Sequence, residues 1–573
     1  MSNEDGDSRD EKAPAPSQAE AITVDEKRIS KDVEPSTRSN DDAKPESGDA
    51  QATTTQTEEV EDESKYPSGF PLGILTAGLC MVTFVIALDN TIIATAIPTI
   101  TTAFNSLGDV GWYGSSYLLT TTSLQPSFGR IYTYFNIKWT YLIALVIFEL
   151  GSVICAAAKN SPMLIVGRAI AGVGAAALFS GGMTIIAFAV PLRKRAMYVA
   201  CLSSMFGIAS VVGPILGGAL TDKVSWRWCF WINLPFGAIA FVTVLVFFKP
   251  PERPLNTLAL KDKIKEIDIQ GATFLICGIV CLLLALQWGG TKFPWHDSKV
   301  YGLIIGFGLL ISVFIGLQLY RGDRATIPPR VLRQRTVLTC ALYTCLLSMG
   351  LYTQIFYLPF YFQAVKGASA ENSGIRTIPY LVSITLSSLI VGGSITVLGY
   401  YAPFMWIGSA LYTVGSGLLF TLRVNSSAGT WIGYQILAGL GAGACVQIPF
   451  IAVQVVLSPT DIPSGNAIVI FFNSLGGSVA ISIAQNIFAT NLVKEVAKHT
   501  TGIDPQTILA TGATHIREVV PASQLSGVLY AYDLAINKAF ILPIAVGTAT
   551  LIVGFFVEWK SVKGKNLMAG GAA

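Results

Sequence analysis

Two acids and one base stand where a membrane would make them costly. Beyond residue 66 the chain holds 17 acidic residues, and only Asp89 and Glu149 lie well inside long apolar runs; Arg168 is the one basic residue so placed. A charge at mid-bilayer costs roughly 2.5–3.5 kcal/mol, so it persists mainly where it faces an interior cavity or a partner. Counted from the ends of their runs at about 1.5 Å per residue, Asp89 and Arg168 both fall roughly 9–13 Å below one membrane surface, within reach of each other. Such a site can titrate, because burial disfavours the charged form of a carboxylate and a neighbouring guanidinium favours it. Opened to each side in turn, it would bind a proton on one side and release it on the other, with Asp89 as proton carrier, Arg168 as its modulator and Glu149 as a second titratable site. One proton moving down about 100 mV supplies roughly 2.3 kcal/mol and each pH unit about 1.4, enough to hold an uncharged solute at a gradient of a few hundredfold. A static ion pair that orients helices is the competing reading.

Other chemistries lack their residues. No G-x-x-x-x-G-K-S/T nucleotide loop occurs. His296, His499 and His515 all fall in predicted outer loops, so no imidazole is expected to relay protons in mid-membrane. The nine cysteines sit in apolar stretches as small packing residues, and Cys277 and Cys281 lack the second pair of ligands that zinc needs. No enzyme activity, cofactor, metal or nucleic-acid partner is expected; the expected partners are a small-molecule substrate, protons and the lipid bilayer, with a monomeric chain. Aromatic and amide side chains supply candidates for an apolar ligand cavity with a few polar groups: Trp112, Tyr113, Tyr117 and Gln125 early in the chain, Gln287 and Trp288 midway, then Gln354, Tyr357, Tyr361, Gln363 and Asn473. For each, an interfacial or core position is the alternative.

The elements that must carry these residues are membrane helices. Of the 573 residues 52% are hydrophobic and 13% charged, with mean hydropathy +0.55, against about 25% charged in soluble proteins. Taking about 20 apolar residues per span, fourteen spans are predicted: 71–97, 112–132, 139–158, 162–190, 197–219, 228–248, 269–288, 300–320, 337–362, 374–397, 402–422, 429–456, 465–488 and 537–558. The predicted architecture is an all-α membrane bundle of two six-helix halves, 67–250 and 336–560, with two inserted helices and their linkers at 251–335. Residues 1–66 carry 19 acids against 8 bases and few large apolar residues, which predicts a disordered acidic tail; residues 561–573 form a second tail. No apolar targeting segment precedes Phe70. Basic residues favour the cytosolic side. Arg193, Lys194 and Arg195, the five bases from Lys249 to Lys265, and Arg321, Arg324, Arg330, Arg333 and Arg335 share one side, which predicts both termini in the cytoplasm. Asn425-Ser426-Ser427 is a glycosylation sequon on the opposite side, and 489–536 is predicted as a long extracellular loop, read as an external cap or a pair of surface helices.

A repeat supports the two halves. Ala171-Gly172-Val-Gly174-Ala in span four recurs as Ala438-Gly439-Leu-Gly441-Ala in span twelve, an offset of 267. Repeated halves belong to alternating-access transporters, although glycine-rich contacts also occur in ordinary membrane bundles. Span five ends in Gly207-Ile-Ala-Ser-Val-Val-Gly213-Pro214-Ile-Leu-Gly217-Gly218, a predicted pivot, and span two in Gln125-Pro126-Ser-Phe-Gly129-Arg130.

In combination these segments resemble the fourteen-span drug:proton antiporters of the major facilitator superfamily over roughly residues 67–560. Leu88-Asp89-Asn-Thr91 through Ile97-Pro98 resembles their span-one motif, Gly167-Arg168 to Gly174 their span-four motif, and Gly207 to Gly218 their antiporter motif. Trp226-Arg-Trp-Cys-Phe-Trp231-Ile-Asn233-Leu-Pro235-Phe-Gly237 is similar to the fourteen-span signature. Leu286-Gln287-Trp288-Gly289-Gly290 and Phe356-Tyr-Leu-Pro359-Phe-Tyr361-Phe-Gln363 are similar to fungal toxin and secondary-metabolite efflux members. After span two the family pattern is Gly-x-Leu-x-Asp-x-x-Gly-Arg-Lys; here Gly129, Arg130 and Lys138 remain, but Thr133 replaces the acid and Ile137 the arginine, so a charged cytoplasmic latch at that loop is not expected. The resemblance implies a proton-coupled efflux pump at the plasma membrane that exports a toxin, drug or secondary metabolite. Uptake or vacuolar transport of an amino acid, siderophore or other nutrient would use the same fold, and a non-transporting receptor is the alternative from another class.

Overall fold

The structure, a computed structural model, describes residues 69–563 apart from 105–109, 251–258, 260–262, 264–267, 290–292, 369, 501–502, 506, 509–515 and 518–519. The predicted tail 1–66, His515 and most of 561–573 therefore lie outside the described residues. Lipid offers no hydrogen bonds to a bare backbone, so each apolar run closes its own as a helix. The first six are α1 (Phe70–Phe104), α2 (Val110–Tyr134), α3 (Ile137–Ala156), α4 (Ser161–Ala189), α5 (Leu192–Lys223) and α6 (Asn233–Phe247), the last preceded by a turn of helix at Trp228–Trp231. The inserted pair is α7 (Ile269–Trp288) and α8 (Ser298–Arg321). There follow α9 (Arg335–Phe360), α10 (Ala370–Leu398), α11 (Ala402–Phe420), α12 (Ala428–Val446, then Ile448–Val456), α13 (Ile462–His499), α14 (Ala522–Ala539) and α15 (Ile541–Gly554).

All fourteen predicted segments are helical, but thirteen helices among the described residues are long and apolar enough to cross a membrane by composition. The segment that falls short is 112–132, whose helix α2 carries a run of Ser, Thr, Tyr and Gln. Polar side chains on α2 face protein rather than lipid: Thr120 and Thr121 hydroxyls donate to the carbonyls of Ala169 and Gly172 on α4 at 2.9 and 3.1 Å. The expected loop 489–536 is helical at both ends: α13 continues to His499 and α14 begins at Ala522, ahead of a break at Phe540. Leu492, Val496, Val528 and Tyr532 from that stretch pack with Tyr357, Tyr361 and Phe362 in one buried cluster, and this burial outweighs the polar composition that suggested a loop.

The repeat is visible in the packing. Gly172 and Gly174 on α4 leave room for the backbones of α2 and α3, at Tyr117 and at Phe148; the corresponding Gly439 and Gly441 on α12 do the same for α10 and α11, at Tyr380 and at Tyr412. Ala171 fills the space opposite Gly151, and Ala438 that opposite Gly415. The same three contacts thus hold both halves, with the residues of α4 and α12 that make them 267 apart. The inserted pair sits outside them: α8 packs chiefly on α7, and of its residues Val300, Phe314 and Gln318 are buried. α7 touches α2 of the first half and α13 of the second.

The two ends of the bundle differ. At the end where α1 begins and α15 finishes, the termini face, a Cβ on Gly129 would meet that of Ala467 at 2.5 Å, and Thr133 and Ser464 hydroxyls lie 3.3 Å apart. On the other side of the cleft Gly392 leaves room for the Ala196 carbonyl and Ala200 Cβ, both at 2.8 Å from a Cβ placed there. Near the far face Gly114, Gly218 and Gly374 have nothing within 4 Å of such an atom. The halves meet at the termini face and part toward the other. Overpacking a close contact costs about 1–3 kcal/mol or more, so Gly174→Val and Gly441→Val should each cut the yield of monodisperse protein in size-exclusion chromatography several-fold, whereas Gly218→Val should leave it unchanged.

Candidate functional site

Four helices of the first half converge on one carboxylate. Asp89 on α1 pairs with the Arg168 guanidinium from α4, and each is 1% exposed. Asn233, at the start of α6, donates its amide to the other Asp89 oxygen at 3.4 Å and to the Ser152 hydroxyl on α3 at 3.1 Å. Arg168 is held in turn: its Nε donates to the Tyr113 carbonyl at 2.9 Å, and its guanidinium lies 4.5 Å from the Tyr117 ring centroid on α2. The expected proximity of Asp89 and Arg168 is what the structure shows. Asn233 and Ser152 were missed as partners, although an asparagine inside the apolar run after Trp231 was the signal that could have found them.

Glu149, one turn before Ser152 on α3, stands differently. Neither carboxylate oxygen has a hydrogen-bond partner among the described residues, and the side chain lies in the space left by Gly237 on α6, where a Cβ would collide with Oε1. An ionised carboxylate there would be a buried charge without a partner, and protonation removes that cost. The chain also buries acids that sequence reasoning passed over: Asp533 on α14 is 0% exposed and Asp268, which caps α7, is 1% exposed.

A cavity of about 310 Å³ opens between the halves on the far-face side. Its walls come from α2 (Trp112, Leu118), α7 (Leu283, Leu286), α9 (Phe356) and α13 (Ser478, Ser482, Gln485). Of the ligand candidates read from sequence, Trp112 lines it. Tyr357 stands behind the wall and donates to Gln485 Oε1 at 3.1 Å. Others serve packing: Tyr113 donates to Ser161, Tyr361 to the Arg423 carbonyl and Gln363 to Ser373. Gln354 joins Ser416 to Tyr380 in a buried network. Gln125 is buried in α2, Trp288 packs edge-on to Phe293, and Asn473 is half-buried on α13. The side chains of Gln287 and Pro214 lie outside the described residues.

The glycines read as a pivot are close-contact sites. Gly213 admits Thr91 of α1, whose hydroxyl donates to the Ala209 carbonyl at 3.1 Å, and Gly207 admits Thr385 of α10. α5 runs unbroken through position 214; the Gly217 carbonyl is 4.0 Å from the Cys229 sulfur, and Gly218 faces open space. At the end of α2 Arg130 donates to Tyr134 at 3.1 Å, and at the start of α3 the Lys138 amide donates to the Asn136 cap. Asn425 is exposed in the turn before α12. Because Asn233 serves two buried partners, Asn233→Ala should lower unfolding stability by about 1–3 kcal/mol, read as a reduced thermal midpoint in detergent, and Ser152→Ala should cost less.

The profile of the Major Facilitator Superfamily matches residues 79–481. Among relatives, the chain is 46% identical over 501 residues to the MFS-type efflux pump MFS1 of Arthroderma benhamiae, covering 87% of this chain and 94% of that protein. It is 44% identical to the MFS-type transporter astH of Aspergillus oryzae, covering 92% and 94%, and 44% identical to the aspyridones efflux protein of Neocamarosporium betae, covering 88% and 90%. Among solved structures it superposes on the human organic anion transporter MFSD10 with TM-score 0.54 at 14% identity, covering 84% of this chain and all (100%) of that one. The proton:xylose symporter XylE gives TM-score 0.53 at 15% identity, covering 87% and 99%. A bundle of repeated halves, with a profile match over most of its length and relatives above 40% identity, identifies this chain as a multi-pass membrane transporter of the major facilitator superfamily.

Proposed function

We propose that the protein exports a small organic molecule, of the toxin or secondary-metabolite kind, across the plasma membrane in exchange for protons, as a monomer with both termini in the cytoplasm. The observation that carries this reading is the buried Asp89–Arg168 pair with the unpartnered Glu149 one helix away. Removing one partner of a buried pair costs about 3–5 kcal/mol, so a proton on Asp89 weakens the tie that joins α1, α4 and α6. Glu149 takes the second proton in the space beside Gly237. With the termini face toward the cytoplasm the halves are closed inside, the cavity opens outward, and Asn425 lies on the outer surface as a candidate glycan acceptor. In this state substrate leaves and protons enter; reopening inward returns Asp89 to its pair with Arg168 and releases the proton. The names of the relatives, efflux pumps and transporters of fungi, favour export over uptake.

Transport in reconstituted vesicles tests the coupling. An imposed pH gradient should drive accumulation of a transported compound by the wild-type protein, and Asp89→Asn should reduce pH-driven accumulation at least ten-fold while leaving downhill exchange measurable. Glu149→Gln should reduce the pH dependence to a smaller extent. If Asp89→Asn transports uphill as wild type does, the coupling assignment fails.

A further inference from the structure

The two inserted helices are absent from the internal repeat, yet one of them touches the cavity. We propose that α7 is a working wall of the substrate chamber and that this chamber selects uncharged, ring-bearing molecules with a hydrogen-bond acceptor. The proposal rests on reading that cavity as the transport site and names what the site takes. Its size, about 310 Å³, sits at the lower end of ligand pockets, roughly 300–1,000 Å³. Trp112 and Phe356 put aromatic rings on two walls, and Leu283 and Leu286 of α7 make the third apolar. No acid or base is among the described residues that line it. The deep charges of the first half are engaged elsewhere, Asp89 with Arg168 and Glu149 behind α3 against Gly237. A charged ligand would therefore be desolvated without a counter-charge, which disfavours it strongly.

Of the polar groups on α13 that line the cavity, Gln485 is the one left with hydrogens to donate, while the two serine oxygens can still accept. Gln485 accepts from the Tyr357 hydroxyl, which leaves its amide hydrogens to donate. The hydroxyl protons of Ser478 and Ser482 are spent on the carbonyls of Ser474 and Ser478. A carbonyl or ether oxygen on the ligand matches the Gln485 donor.

α7 is also fastened so that it stays on this wall. Near the far face the Trp295 indole, in the turn between α7 and α8, donates to Asn486 of α13 at 3.1 Å. At the termini face Asp268, the cap of α7, holds Gln318 and Arg321 of α8 at 2.7 and 3.3 Å. Arg330 in the following linker bonds both oxygens of Asp461, just before α13, at 3.0 Å each, and Asp323 at 3.0 Å. The links that leave the inserted pair and its linker run to α13 and the residue before it, while α7 also packs on α2, so α7 lies across the seam that α13 makes with α2.

Three ring-matched probes test this on the purified full chain in nanodiscs: 7-methoxycoumarin, its 4-acetate and its 4-trimethylammoniomethyl analogue, with binding read by calorimetry in the absence of any proton gradient. The wild-type protein should bind the neutral probe at least ten-fold more tightly than either ion. Leu283→Glu should weaken the neutral probe at least ten-fold and strengthen the cation, while Leu283→Gln should not strengthen the cation. If Leu283→Glu does not fold, Leu283→Trp, which fills the chamber, should abolish binding of the neutral probe. Equal binding of the ions by wild type, no binding of any probe, or variants at Leu283 that leave all affinities unchanged would each overturn the proposal. Retained neutral binding without pH-driven transport would instead defeat the export reading and leave the chamber's selectivity standing.

Discussion

A single buried carboxylate ties the first half of the bundle together. Asp89 can stay within an apolar interior only because Arg168 neutralises it and Asn233 occupies its second oxygen, and those partners belong to α4 and α6. Arg168 would be equally costly alone, and it is braced by the Tyr113 carbonyl and the Tyr117 ring of α2. The charge balance at this point therefore sets how α1, α2, α4 and α6 sit against one another. A proton is the smallest change that alters it, which links an electrochemical gradient to helix packing without any nucleotide or metal.

Around this point the structure is built from close contacts that glycine permits. In lipid there is no hydrophobic gain from bringing two apolar helices together, so association depends on van der Waals fit and interhelical hydrogen bonds. Gly172 and Gly174 supply that fit in the first half, and Gly439 and Gly441 repeat it in the second. Between the halves the close contacts run from the termini face, at Gly129 with Ala467 and at Gly392 with Ala196, inward to Gly207 with Thr385. Each half is held by its own set of glycine contacts, the arrangement in which two bodies can rock against each other. At this seam Thr133 meets Ser464 through hydroxyls, and a charged contact lies nearby in sequence between Arg330 and Asp461.

Much of this was legible in the sequence because the bilayer imposes strict rules on it. Apolar runs gave the helices, clustered Arg and Lys the shared face of their ends, and the offset of 267 the equivalence of α4 and α12. The pairing of Asp89 with Arg168 was readable from depth alone, since two opposite charges in one layer of hydrocarbon have few other partners. What stayed hidden depended on rotation about helix axes. Gln354 and Tyr361 read as ligand contacts by residue type, but they point into networks with Tyr380 and with the Arg423 carbonyl. Asn233 sits in a motif read for its family resemblance rather than for the bond it makes. Asp533 was lost in a segment assigned as loop on its polarity, because α14 hides its polar groups against α13 and the end of α9 rather than exposing them to water.

Proton release on ligand binding reads the exchange most directly. In lightly buffered detergent solution with a pH-indicator dye, adding a saturating amount of a transported compound to the protein at mildly acidic pH should release protons in proportion to the sites filled. The Asp89→Asn, Glu149→Gln double variant should bind the compound and release none. Equal proton release by that variant, or ligand binding by wild type with no release at any pH between 5 and 8, would contradict a carboxylate-based exchange.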